Sequence, residues 1–582
     1  MSAGFIIEKH FNYINLLYNK DIGGRKIMFE KLINRTNFKL LFIFYVFINT
    51  LALGYFGIQT NPLYIVVFIY GAIVLLYDLL KKEVIYSKNH LILIFLYGAL
   101  LCIATYYNKT YSDKTSYIIA VMQMFIFLLI FAQPRSMTLK KLKKELKLII
   151  PFVSVLVGAA SLISLGMYFL NISSSRNGWY LGLVGTRLFG IYFNCNPASF
   201  LAVITVLLSL IAISNQYRFR ILYIANIGIQ LGYIILTQCR AAILILAIVS
   251  TAVIYYYFFR AKEFSKLKRI TLNIVLCLSI LFGTAIINKV AYIIPQLQGA
   301  SVKEESRFQF QSIQEIIELT MSGNINNIPK IIQLTDQVTS GRITLAKDSI
   351  KVWQKDPLHG IGAGNFRKIL VDQNEASANY GQQILHSHNV FLETLVTAGI
   401  FGFAIFFLFF IKTMFVTRDI LNKYKNKRAY FIILLFIMIF LSEFIGGFFD
   451  FGVFYVYSLS ATLAWMFLGY TYWLNDQPDM PLVDHSQSVT FNRYELISIQ
   501  YRHEDIERIK PEFVILNTRD YLDDYIIQVQ YMLGKSTFIY DLYYSLNKKK
   551  KDNEALNKTL VKEFYPLIED EIKSIYAQSE IK

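Results

Sequence analysis

The stretch AYFIILLFIMIFLSEFIGGFF, residues 429–449, carries a single charged side chain, Glu443, in twenty-one positions. A helix of about 20 residues spans the roughly 30 Å hydrocarbon core of a bilayer, and a run that is apolar on every face has no side to turn to water. Lipid is its natural solvent. Eleven further runs share this character, at 40–57, 62–80, 90–107, 116–132, 148–170, 197–213, 221–237, 241–259, 270–287, 391–415 and 452–474. An all-α polytopic membrane protein with about twelve transmembrane helices is therefore expected. The composition agrees, because 55% hydrophobic, 16% aromatic and 17% charged is too apolar for a soluble chain of 582 residues. Two connections are very short, at Thr237 to Arg240 and around Asp450, and fusing either pair into one broken helix would invert everything downstream.

The 58 basic and 40 acidic residues must be weighed loop by loop, since loops kept in the cytoplasm collect Lys and Arg. On one side fall Lys20, Arg25, Lys26, Lys31 and Arg35, the KK pair at 81–82, LKKLKKELK at 139–147, Arg218 with Arg220, RAKEFSKLKR at 260–269 and RDILNKYKNKR at 418–428. The intervening connections carry few charges, or balanced ones in 288–390. This alternation places both termini in the cytoplasm and 288–390, like 171–196, outside. The basic N-terminal stretch leads into apolar runs with no small-residue cleavage site, unlike a cleaved signal peptide. The expected organisation is a cytoplasmic segment 1–38, helices one to nine in 39–287, an extracytoplasmic loop 288–390, helices ten to twelve in 391–474, and a small cytoplasmic domain 475–582.

A loop of about one hundred residues is too long to be a bare connector. Within it Ile343, Ala346, Ile350 and Trp353 recur at helical spacing after a potential N-cap, Ser340, and Pro357 marks the end. HGIGAGNF at 359–366 is not a nucleotide loop: its glycines follow GxGxG, no βαβ context surrounds it, and it lies on the outer side. A turn returning the loop helix toward the membrane fits it better. In the terminal domain FVILNT at 513–518 is strand-like, a helical stretch is expected at about 523–533, and KKKK at 548–551 is a solvated run.

Ionisable groups beside spans are costly and usually retained for a purpose. Arg187 precedes a span, Arg240 stands at the connection between two spans, and Arg342 opens the loop helix, all on the expected outer side against the positive-inside trend. Guanidinium groups make planar bidentate contacts with phosphate oxygens, so three of them converging would suit a pyrophosphate; each alone could equally snorkel or cap a helix end. His388 ends the long loop directly before a span, where an imidazole, titrating near neutrality, could take the proton of an incoming hydroxyl. His386, two residues away, makes the pair a weak metal signal, and no metal ligand set is assigned. Glu393, Glu443 and Asp450 are expected as structural partners of the arginines. The four cysteines (Cys102, Cys195, Cys239, Cys277) lie in or beside apolar runs without CxxC spacing and are expected as inert thiols.

Taken together, RLFGIYFNCNPASF, TQCRAA, GRITLAKDSIKVWQKDPLHGIGAGNF and HNVFLETLVTAGIFG resemble the successive signatures of the O-antigen ligase and polymerase superfamily. The similarity covers about residues 180–403. Two departures are the order Asn-Cys-Asn-Pro near Asn194 and Cys239 where the family commonly has Ser. The resemblance implies a GT-C-like fold and a metal-independent, inverting glycosyltransferase that needs no cofactor. It implies a polyprenyl-pyrophosphate-linked glycan as donor, held by Arg187, Arg240 and Arg342, and a glycolipid or glycan acceptor activated by His388, with Arg342 and His388 forming the catalytic pair.

The family includes ligases, which move a finished chain, and polymerases, which join lipid-linked repeat units. Richness in Lys, Ile, Asn, Phe and Tyr points to a low-GC genome, and many such bacteria have a single membrane. A teichoic acid or capsular chain is then expected as donor at the bacterial cytoplasmic membrane, with ligase ahead of polymerase and no nucleic-acid partner. A flippase for a lipid-linked saccharide would also need many spans and buried arginines, but the half-repeats common in transporters are not visible.

Overall fold

The computed structural model describes residues 33–59, 61–81, 89–176, 178–185, 187–256, 265–291, 310–339, 341–372, 386–425, 429–450, 452, 458–477, 491–498, 512–521, 524–533 and 536–544. Ser340 and the KKKK run lie outside the described residues. The chain is mostly helical. The membrane part begins with α1 (Arg35–Thr50), α2 (Asn61–Leu80), α3 (Asn89–Tyr107), α4 (Lys114–Phe125, continued by a π-helical turn Ile126–Phe131) and α5 (Leu139–Phe169). Three strands follow, β1 (Ser173–Arg176), β2 (Trp179–Val184) and β3 (Arg187–Gly190), then α6 (Cys195–Ser214), α7 (Arg220–Thr237), α8 (Arg240–Ile254) and α9 (Lys266–Ala291). The long loop contains α10 (Phe310–Met321), α11 (Ile328–Val338), α12 (Arg342–Trp353) and α13 (Phe366–Asp372). The chain then forms α14 (Val390–Lys423), α15 (Ala429–Gly446), α16 (Leu459–Asp476) and strands β4 (Phe491–Ser498), β5 (Glu512–Tyr521), β6 (Asp524–Leu533) and β7 (Ser536–Tyr544).

Each of the twelve apolar runs carries a helix. Seven helices among the described residues are long and apolar enough to cross a membrane, and Leu91–Tyr107, Arg240–Ile254 and Tyr430–Gly446 are shorter apolar helices. α6 and α16 bury almost every side chain and form the centre of the bundle. At the periphery Ile65, Phe68, Ile69 and Leu76 of α2 and Ile274, Leu278 and Phe282 of α9 are exposed, as suits a surface bathed in lipid rather than water.

Strands interrupt the helical architecture in two places, the second of them in the terminal domain, where FVILNT at 513–518 predicts a strand and lies in β5. β1, β2 and β3 form an antiparallel meander, and the C-terminal strands form a four-stranded sheet in the order β4-β7-β6-β5. The segment expected to be helical at 523–533 is strand β6, paired on both sides. Its Ile527, Val529 and Tyr531 alternate with Gln528 and Gln530, a period of two in β-branched and aromatic residues. LKKLKKELK likewise is no loop but the first turns of α5, with Leu139, Leu142, Glu145 and Leu146 turned inward.

Glu145 explains that inward turn. Its carboxylate pairs with Lys39 Nζ at 2.6 Å and accepts from the Tyr470 hydroxyl at 2.6 Å, while Arg35 pairs with Asp78 at 2.6 Å. These contacts tie together the start of α1, the end of α2, the start of α5 and α16. At the other end Phe193 N–H donates to the Thr50 carbonyl, Asn108 to Gly360, and Asn365 to Ser112.

α14 is broken where the loop meets it. Gly399 has φ +64° and ψ −170°, so Ile400 N–H donates to the Pro357 carbonyl, while the carbonyls of Val396 and Thr397 accept from Ile361 and Gly362. The GxGxG run thus repairs a helix break, satisfying backbone groups that lipid cannot. Gly360 and Gly362 have φ of +78° and +81°, and a Cβ on either would collide with backbone, of α14 and of α3 respectively.

Candidate functional site

Five chain segments meet at the end of the bundle where the loop helices sit. Asn194 caps α6 by accepting from Asn196 N–H at 2.9 Å, so the Asn-Cys-Asn-Pro order opens a helix. This places the Asn196 side chain against Arg187 at the head of β3: Nη2 donates to Asn196 Oδ1 at 2.5 Å and Nε to the Thr237 carbonyl at 2.9 Å. Thr237 ends α7, Gln238 turns the chain through φ +52°, and Arg240 begins α8. Two residues therefore separate the helices.

Arg240 Nη1 donates to the carbonyl of Val338, the last residue of α11, at 2.7 Å. Such terminal carbonyls lack an intrahelical partner and favour a cation. The corner from α11 into α12 is held by Asp336, whose carboxylate accepts from Ile343 N–H at 2.8 Å, Thr344 N–H at 3.1 Å and the Thr344 hydroxyl at 2.6 Å. Gly341 turns it at φ +80°. Arg342 follows, and its Nη1 donates to the His388 carbonyl at 2.9 Å. Each of the three arginines thus has one fork nitrogen fixed by a carbonyl of another site element.

His388 sits in the left-handed region at φ +52°. Its Nδ1 lies 3.1 Å from Asp450 Oδ1, and its N–H donates to His386 Nδ1 at 3.3 Å. Glu393 accepts from Ser387 N–H at 2.8 Å and the Ser387 hydroxyl at 2.9 Å, while Asn389 caps α14 through Phe391 and Leu392 N–H. Val390 N–H donates to the Gly447 carbonyl at 2.7 Å and Asn389 Nδ2 to that of Phe448 at 3.2 Å. The loop end is thereby tied to the turn that carries Asp450.

Burial of Asp450 would raise its carboxyl pKa, but the hydrogen bond from His388 and the charges of His388, His386 and Arg342 outweigh it and bring the pKa down to about 2. The lowered pKa favours the ionised carboxylate, which can only accept. Burial, and next the charge of His388, holds the His386 imidazole well below its usual range, in keeping with a neutral ring accepting from His388 N–H. Burial also lowers Arg342, with Asp450 pulling the other way. His386, His388 and Asp450 place three ligand-type atoms within 4.8 Å of one another, so a metal ion is sterically possible there.

The structure holds Arg187, Arg240 and Arg342 near enough that Arg187 influences Arg240 and Arg240 influences Arg342 electrostatically, and Arg342 touches His388. It corrects the partner expected for Glu393, which is Ser387 rather than an arginine; among the described residues neither Glu393 nor Glu443 forms an ion pair with the three arginines. Asp450 pairs with His388, a relation no local sequence pattern signals, since the two residues are sixty-two positions apart. Apart from the Asn196 side chain on Arg187, the groups that hold the arginines are the carbonyls of Thr237, Val338 and His388, which leave no side-chain signature.

Fold and site together define a multi-pass membrane protein with a cationic cluster beside a His–Asp pair. Residues 225–407 match the family model described as O-antigen ligase, which supports the O-antigen ligase superfamily and a ligase or polymerase class of enzyme acting on lipid-linked glycans. The match includes Arg240, Arg342 and His388, while Arg187 and Asp450 lie outside it. None of the curated proteins compared with the chain matches it.

Proposed function

We propose that this chain is a metal-independent, inverting glycosyltransferase of GT-C type that transfers a glycan from polyprenyl pyrophosphate to an acceptor on the outer face of the bacterial cytoplasmic membrane. The observation that carries the proposal is the juxtaposition of three carbonyl-anchored guanidinium groups with His388, itself paired to the buried anion Asp450. In this reading all twelve helices cross the bilayer, both termini and the C-terminal sheet are cytoplasmic, and 288–390 lies outside.

An ionised Asp450 accepts, so His388 Nδ1 carries the proton and Nε2 offers its lone pair. The acceptor hydroxyl attacks the anomeric carbon from the face opposite the pyrophosphate, and its proton passes to His388 Nε2. The bond from the anomeric carbon to the pyrophosphate oxygen breaks, and the electron pair leaves with the polyprenyl pyrophosphate. Arg187, Arg240 and Arg342 stabilise that charge, and their carbonyl anchors prepay the orientation. A low-GC composition favours a teichoic acid or capsular chain as donor and a membrane glycolipid as acceptor, with polymerisation of repeat units the alternative on the same site.

Purified protein in liposomes with a lipid-linked glycan donor tests this. Transfer without nucleotide is expected, and mass spectrometry of the product separates ligase from polymerase by what the donor chain is joined to. Movement of donor across the bilayer without transfer would overturn the proposal in favour of a flippase.

A further inference from the structure

His386 has no part in the chemistry above, yet its ring is buried against His388, with centroids 4.1 Å apart. Its Nδ1 lies 3.8 Å from Asp450 Oδ1, and His388 Nδ1 lies 3.1 Å from the same oxygen. Tetrahedral Zn2+ binds imidazole nitrogen and carboxylate oxygen at about 2.0–2.2 Å, which sets its ligand atoms roughly 3.3–3.5 Å apart. The two separations from Asp450 Oδ1 bracket that value, and all three ligand atoms lie within 4.8 Å of one another. Two imidazoles and one carboxylate suit a borderline transition metal rather than Mg2+ or Ca2+, which prefer all-oxygen shells. The loop bearing the histidines is held from behind by Glu393 through Ser387, the outer support that ligand loops need.

We propose that His386, His388 and Asp450 form an inhibitory site for a divalent transition metal such as Zn2+. The site rests on geometry; its inhibitory effect rests on the glycosyltransferase reading. The ion would take Nδ1 of His388, shifting the ring's proton to Nε2, take Asp450 from it, and replace the 3.3 Å bond from His388 N–H to His386. With Nδ1 on the metal the neutral ring carries its one proton on Nε2 and offers no lone pair to an acceptor hydroxyl, so the base is disabled. Arg342, whose Nη1 donates to the His388 carbonyl, sets a cation beside the site and weakens its hold on a dication, so a chelator reverses binding.

The test uses the full chain in detergent and in liposomes, with Co2+ as spectroscopic probe and Zn2+ as inhibitor. Expected are one Co2+ per chain with tetrahedral visible d–d absorption, lost in both H386Q and D450N. The glutamine can still accept from His388 N–H, so H386Q preserves the loop where D450N risks it. Zn2+ should stop transfer, chelation should restore it, and H386Q should need at least tenfold more Zn2+ for half inhibition relative to its own metal-free rate. Absence of the Co2+ signal in folded wild type overturns the site, as does a signal with thiolate charge-transfer bands, which would belong to the cysteines. Bound metal with undiminished or faster transfer overturns the inhibitory role. If the metal-free protein transfers nothing, the function proposal fails while the Co2+ spectrum still decides the site.

Discussion

Arg342 Nη1 donates to the main-chain carbonyl of His388 at 2.9 Å, so the cation and the base proposed to act on opposite sides of one reaction are locked together. The link joins the head of α12 to the loop end before α14, and it is geometric as well as electrostatic. A lysine could supply the charge but not a fork with one nitrogen anchored and others free. R342A is expected to lower glycan transfer by about 100-fold or more, and R342K to recover little of it. Both should leave the protein in the membrane with lipid-linked donor accumulating. Wild-type transfer by either variant would remove Arg342 from the site.

H388A should cost about 100-fold to 10,000-fold, the usual range for a general base. If Asp450 works through His388, D450N in the H388A background should add almost nothing, whereas two independent losses would multiply. Rates of the two single variants and the double variant decide between these outcomes.

The break in α14 depends on glycine. G399A places a Cβ against the Leu358 carbonyl and forces φ +64° on an alanine, so the loop backbone can no longer serve Val396 and Thr397. Loss of folded protein is expected, seen as a broadened or early-eluting peak in size exclusion. A monodisperse, fully active G399A would show that the break is dispensable.

The buried pair at the far end predicts a different pattern. K39M strands the Glu145 carboxylate, already shared with Tyr470, and should destabilise by about 3–5 kcal/mol. The double variant K39M/E145Q should regain much of that loss. Thermal unfolding in detergent reads both, and equal damage in single and double variants would deny the pairing its importance.

Much of the fold is legible in the chain because membrane insertion responds to local quantities. Twelve apolar runs each carry a helix, and Arg187, Arg240, Arg342 and His388 stand out because a charge beside a lipid-soluble run has few bland explanations. The period-two alternation of Ile527, Val529 and Tyr531 fits a strand, and pairing with β5 and β7 on both edges fixes it as one. In LKKLKKELK the charges alone suggest a loop, while Leu139, Leu142 and Leu146 mark one buried helical face.

By itself the sequence determined the solvent of this protein, the positions of its helices and the identity of its unusual charges, since each follows from residues adjacent in the chain. Tertiary structure alone decided that Asp450 stands behind His388, that Glu393 holds Ser387 rather than an arginine, and that three guanidinium groups hang from carbonyls of Thr237, Val338 and His388. The arginine contacts run through backbone oxygens across 46 to 98 residues, and a carbonyl is the same in every residue, so no pattern of side chains can announce which one a distant arginine will find.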